Sequence, residues 1–111
     1  MNGYQITFFT QQDRRHHGKP MADWLVHLAQ ELGMHGATMV AATEGFGRHG
    51  RIHSARFFDL SDQPLEVTMV ATEEETARLF ERLRAEGVSL FYAKTAVEFG
   101  KTGAADAPGA P

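Results

Sequence analysis

Cysteine is absent from the chain. That excludes disulfides, zinc-thiolate sites and thiol nucleophiles, so any metal chemistry rests on the six histidines. Long apolar runs are missing too, and nothing approaches the roughly 20 residues of a membrane span. The opening MNGYQITFF shows neither a basic leader nor an apolar signal-peptide core, so a cytoplasmic protein without membrane insertion is expected. Excess positive charge is lacking: the net charge is −3, which argues against a nucleic-acid binder that relies on backbone electrostatics. No nucleophile stands beside an evident base. Asp13, Asp23, Asp59 and Asp62 are scattered, and His53 and Ser54, adjacent on an extended chain, would face opposite ways. An enzyme is not expected.

What is present reads as one domain. At 111 residues the chain can build a single core with little to spare, so oligomerisation is in keeping with its size. YQITFFTQ alternates Tyr4, Ile6 and Phe8 against Gln5, Thr7 and Phe9 and predicts a strand. QDRRHHGKP reads as a polar loop, and Pro20 as a first helical position. Met21, Trp24, Leu25, Leu28 and Leu32 follow at helical spacing, and Gly33 closes that helix. GATMVAATE predicts a second strand, its alanines suited to close packing by a helix. HSARFFDL reads as a short strand and DQP at 62–64 as a turn. LEVTMVA alternates Leu65, Val67, Met69 and Ala71 against Glu66, Thr68 and Val70. Thr72 and Glu75 form a capping box ahead of the stripe Thr76, Leu79, Phe80 and Leu83, and Gly87 ends the second helix. SLFYAKTAVEF is the last strand; 100–111 read as a disordered tail of small residues.

The order strand, helix, strand, long connection, strand, helix, strand predicts an α+β, ferredoxin-like β-α-β-β-α-β sandwich whose antiparallel sheet carries both helices on one face. The other face would expose Phe9, Val70 and either Tyr92 or Phe91, too apolar for water, which points to sheets packing together in an oligomer.

Two basic segments stand out, Arg14, Arg15 and Lys19 in one and Arg48, Arg51 and Arg56 in the other, and together they would make an anion site. Solvated loops that never meet are the plainer reading of the charges alone. In EGFGRHGRIH, Gly45 and Gly47 leave the backbone open to a ligand, while a β-bulge or turn is the plainer account of the motif.

HGATMVAATEGFGRHGRIH followed by PLEVTMVATEEE resembles the nitrogen-regulatory PII superfamily, and GKPMADWLVHLAQELGMHGATMVAATEGFGRHGRIHSARF resembles its branch called domain of unknown function 190. The resemblance spans about 4–99. It implies a homotrimer that binds an adenine nucleotide between subunits and signals through a T-loop, here about 48–64, to a regulated protein such as a membrane transporter. It places Thr38 against the adenine, and Gly45, Phe46, Gly47 and Arg48 against ribose and phosphates. Glycine N–H groups and an arginine fork suit a phosphate. RAEGVSLFY departs from the lysine-containing, glycine-rich B-loop of PII proteins, which argues against ATP held in the PII manner. AMP, ADP or a cyclic nucleotide is left as the effector, no tightly bound cofactor being implied, with Arg14, Arg15, Lys19 and Arg51 as candidate anion contacts. His49 and Gly50 stand where magnesium and 2-oxoglutarate would be held, and 48–64 contains no tyrosine for uridylylation. The histidines open a second reading, a trimeric metal sensor or tolerance protein using His16, His17, His49 and His53.

Overall fold

The computed structural model describes residues 1–42, 44–46, 52–54 and 63–103, with the side chains of 44–46 and 52–54 set aside. Its elements are β1 (Asn2–Gln11), β2 (Arg15–His16), β3 (Lys19–Pro20), α1 (Met21–Glu31), β4 (Ala37–Ala41), β5 (Glu44–Phe46), β6 (Ile52–Ser54), β7 (Pro64–Thr72), α2 (Glu73–Ala85) and β8 (Phe91–Glu98). The main antiparallel sheet has the order β4-β7-β1-β8. That is the ferredoxin-like arrangement expected from the element order, with both helices packed on the sheet.

Alternation in the two central strands decides which face the helices cover. Ile6 and Phe8 of β1, and Leu65, Val67, Met69 and Ala71 of β7, are buried beneath Met21, Ala22, Leu25, Leu28 and Ala29 of α1 and Leu79 and Leu83 of α2. Full burial of a side chain such as Leu25 contributes about 1.5–3 kcal/mol. Gln5, Thr7 and Phe9 point the other way, opposite Val70, Thr68 and Glu66. Pairing resolves the choice between the two aromatic residues of β8: Phe91 lies opposite Phe9 on the open face, their ring centroids 5.6 Å apart. Tyr92 lies opposite Phe8 on the helix face and meets Phe80 edge-on at 4.8 Å.

The helix ends follow their local chemistry. The Thr72 hydroxyl accepts from the Glu75 N–H at 3.1 Å and the Thr72 N–H donates to the Glu75 carboxylate at 2.8 Å, completing the expected capping box. Gly33 and Gly87, both at φ near +70°, close α1 and α2 in Schellman motifs, with Met34 N–H donating to the Ala29 carbonyl and Val88 N–H to that of Leu83.

Four expectations need correction. Pro20 is the N-cap of α1, its ψ of 134° being extended, so the helix starts at Met21. QDRRHHGKP is not loop throughout: β2 and β3 pair as a two-residue hairpin around His17 and Gly18, both at positive φ. The alanine-rich strand is packed by a helix only in part: β4 is a sheet edge beside α1, with Ala37 against the core and Thr38 to Ala41 exposed. Pro64 belongs to β7 rather than to a turn, filling the first strand position where a missing N–H is tolerated. Asp62, most of 48–64 and 104–111 lie outside the described residues, while 100–103 are exposed with a turn at Gly103.

Gly3 admits no side chain, because a Cβ there would lie 1.9 Å from the Ala71 carbonyl oxygen. Gly3→Ala is expected to force β1 from β7 and cost about 1–3 kcal/mol in urea unfolding, whereas Thr72→Ala loses one cap and costs about 1 kcal/mol. Equal losses for the two variants would show that the Gly3 contact relaxes freely.

Candidate functional site

Two regions at different places on the sheet carry the chemistry singled out in the sequence. The first surrounds Thr38. Its strand β4 pairs with β7, so that Thr38 lies opposite Thr68, which in turn lies opposite Thr7 on β1. The Thr7 and Thr68 hydroxyls hydrogen-bond each other at 3.0 Å on the open face. Beside them an open cleft of about 370 Å³ is lined by Gln5, His35, Gly36, Thr38, Thr68 and Val70. Its polar groups are hydroxyls, an amide and an imidazole, suited to recognising a neutral heterocycle. His35 flanks it as a turn residue, its ring 5.2 Å from that of Phe99 and its Nε2 3.5 Å from the Glu75 carboxylate.

The remaining nucleotide candidates are only partly visible. Gly45 and Phe46 stand in β5, paired with His53 and Ile52 of β6, so this part of the motif is strand rather than turn. Gly47, Arg48, His49 and Arg51 lie outside the described residues, as does Arg56. Whether the two basic segments meet therefore falls outside them too.

The second region is the β2–β3 hairpin. Arg14 reaches the Ser89 carbonyl, while Arg15 donates to the Gly18 carbonyl at 3.1 Å and Lys19 is exposed opposite His16. The hairpin thus sits against the 86–90 segment, where PII proteins would carry their B-loop. His16 and His17 both turn to the same carboxylate: their Nε2 atoms lie 3.1 and 2.8 Å from Glu86 Oε1. Neighbouring side chains of a strand normally diverge. His17 adopts φ +52°, a left-handed conformation uncommon outside glycine, and this breaks the alternation so that the imidazoles converge. Trp24 of α1 packs edge-on against the His16 ring at 4.4 Å.

In the sequence Glu86 is one of an acidic group with Glu73, Glu74, Glu75 and Glu81, and nothing there singles it out as a site residue. It is the C-cap of α2, where the helix dipole disfavours a carboxylate, and that misplacement is the signal that marks it. Hydrogen bonds from His17, His16 and Arg82 hold its carboxyl well below the ordinary value of 4.5, at about 2. Arg82 Nε lies 3.3 Å from Glu86 Oε2, and the same guanidinium pairs with Glu31 at 3.3 Å. Of the four histidines considered together for metal, His16 and His17 are adjacent here. His53 enters through its backbone alone, in β6.

Comparison with known proteins follows the same outline. The family model of domain of unknown function 190, described as "Uncharacterized ACR", matches residues 3–88. A protein of Aquifex aeolicus (strain VF5), named only as a UPF0166 protein, is 32% identical over 80 residues, covering 71% of this chain and 76% of the relative. Among solved structures, CPII of Thiomonas intermedia K12, a nitrogen-regulatory PII-like protein bound to ADP, AMP and bicarbonate, superposes with a TM-score of 0.66 at 17% identity over 91% of each chain. A PII-like signalling protein of Thermus thermophilus superposes at 0.63 with 20% identity, over 86% of this chain and 87% of its own. These likenesses establish the PII-like fold.

A carboxyl whose pKa is lowered by folding stabilises the fold above its ordinary pKa and loses that contribution as the pH falls through the lowered one. In chelator-treated protein the melting temperature should therefore exceed that of Glu86→Gln at pH 6, and the gap should close between about pH 4.5 and about 2. A gap independent of pH would show that the carboxylate charge does not contribute.

Proposed function

The chain belongs to the family of domain of unknown function 190, and from that membership and the cleft at Thr38 we propose a PII-like signalling protein that binds an adenine nucleotide, AMP or ADP. The observation that carries this reading is the coincidence at Thr38. The residue that the resemblance sets against adenine lines an open cleft on the sheet, with Gln5, Thr68 and Val70 from the neighbouring strands around it. CPII, which shares the fold, is seen with ADP and AMP.

The open face supports the oligomeric part of the proposal. Phe9 is 37% exposed and Phe91 60%, with Val40 at 50% on β4, the other edge of the sheet from Phe91. Apolar side chains so placed are covered at low cost by a second sheet, and three copies packed through these faces would wall the cleft from a neighbouring subunit. The arginine-rich segment from Arg48 to Pro64 would then be ordered by the effector's phosphate and read by a partner protein, a transporter among the candidates. The action is non-catalytic: binding energy is spent on ordering a loop.

The test is calorimetric titration with AMP, ADP, ATP, cyclic nucleotides and bicarbonate. AMP or ADP should bind with micromolar affinity, and Thr38→Ala and Arg48→Ala should each weaken it at least tenfold. Heat from bicarbonate alone, or from no ligand, would overturn the nucleotide reading. For assembly, light scattering should give the mass of a trimer for the parent chain and of a monomer for Phe9→Glu; a parent chain that elutes as a monomer would refute it.

A further inference from the structure

We propose that His16, His17 and Glu86 form a binding site for a divalent transition-metal ion, independent of the nucleotide cleft. Three potential ligand atoms, two imidazole nitrogens and one carboxylate oxygen, lie within 4.8 Å of one another. The two nitrogen-to-oxygen distances, 3.1 and 2.8 Å, are close to the roughly 3.3 Å edge that bonds of about 2.0–2.1 Å make at tetrahedral angles. Small outward rotations of the rings would admit an ion in place of the shared hydrogen bonds.

The cluster assembles two locally unfavourable choices. His17 sits in a left-handed conformation that glycine or asparagine would occupy more easily, and Glu86 puts a negative charge at the negative end of α2. Either choice alone lowers stability; together they bring three donors to one point. The donor set is nitrogen and oxygen without sulfur, which suits zinc, copper or nickel rather than magnesium or calcium.

The surroundings are compatible with a dication. Arg82 occupies the other oxygen of Glu86 but is itself paired with Glu31, so these three side chains carry one net negative charge. Arg14 contributes positive charge nearby through its contact with Ser89, and the site must bind against it. His16 is largely covered and packed on Trp24, while the His17 side chain is 68% exposed. One side of the ion would face solvent, open to water or an exogenous ligand. Such an ion would tie the β2–β3 hairpin to the end of α2, joining segments about 70 residues apart in the chain.

The experiment is titration of untagged, chelator-treated protein with zinc chloride at pH 7.5 in excess magnesium. One equivalent per chain should bind with micromolar affinity. His17→Gly, which keeps the hairpin turn, and Glu86→Gln should each weaken binding at least tenfold, while His49→Ala/His53→Ala should retain it. In the unmutated protein, zinc should shift the ring-proton resonances of His16 and His17 before those of the other histidines. Absence of zinc binding would overturn the proposal. So would binding that survives both hairpin-site variants, or binding that vanishes with His49 and His53.

Discussion

The register between β1 and β7 is the constraint on which the rest of the molecule rests. It runs from Gly3 opposite Thr72 to Gln11 opposite Pro64 and turns Ile6, Phe8, Val67 and Met69 into the core together. A slip by one residue would send that set to the open face, leaving α1 and α2 over threonines and a glutamate. Gly3 pins the register at one end, where the strands approach too closely for any side chain. The Thr7–Thr68 pair marks it in the middle, on the face the helices do not cover. The Thr38 cleft is a direct product of this register, because β4 takes its position from β7.

The two candidate sites lie at different places on this sheet. β4 begins beside Gln5, Thr68 and Val70, where the cleft lies. At the opposite end, where β1 leaves and β8 enters, the basic hairpin meets the C-terminus of α2 through Glu86 and Ser89. α1 starts at the hairpin and leads through Gly33 to His35 and Gly36 at the cleft, so it joins the two places alongside the sheet. The hairpin strands are two residues each, and none of those residues is fully buried. Its placement rests on polar contacts together with the packing of His16 on Trp24.

The PII-like scaffold gives these features a common setting without dictating their chemistry. A ferredoxin-like sheet with one uncovered face has to dispose of Phe9 and Phe91, and association through that face would build a cleft between copies. The basic hairpin against 86–90 offers positive charge where the lysine of the PII B-loop is missing. An anion placed there would meet guanidinium groups already engaged with carbonyl oxygens, so its binding would exchange one set of hydrogen bonds for another.

Most of the architecture was legible in the sequence, because period-two alternation in β1 and β7, the helical stripes, the Thr72–Glu75 box and the glycines at 33 and 87 act locally. Thr38 was reached through the resemblance to the PII superfamily alone, whereas the pair His16–His17 was visible in the residues themselves. The hairpin stayed hidden because its turn uses a histidine where asparagine or glycine is the usual marker, and the edge position of β4 because alanine suits a covered strand as readily as an exposed one. Glu86 could not be joined to His16 and His17 from the sequence: about 70 residues separate them, and only the packing of α2 beside the end of β1 closes that distance. Sequence by itself determined the elements and their buried faces, since these depend on neighbours a few positions away. Tertiary structure alone decided which side chains meet, since long-range proximity follows from the sheet order and not from spacing.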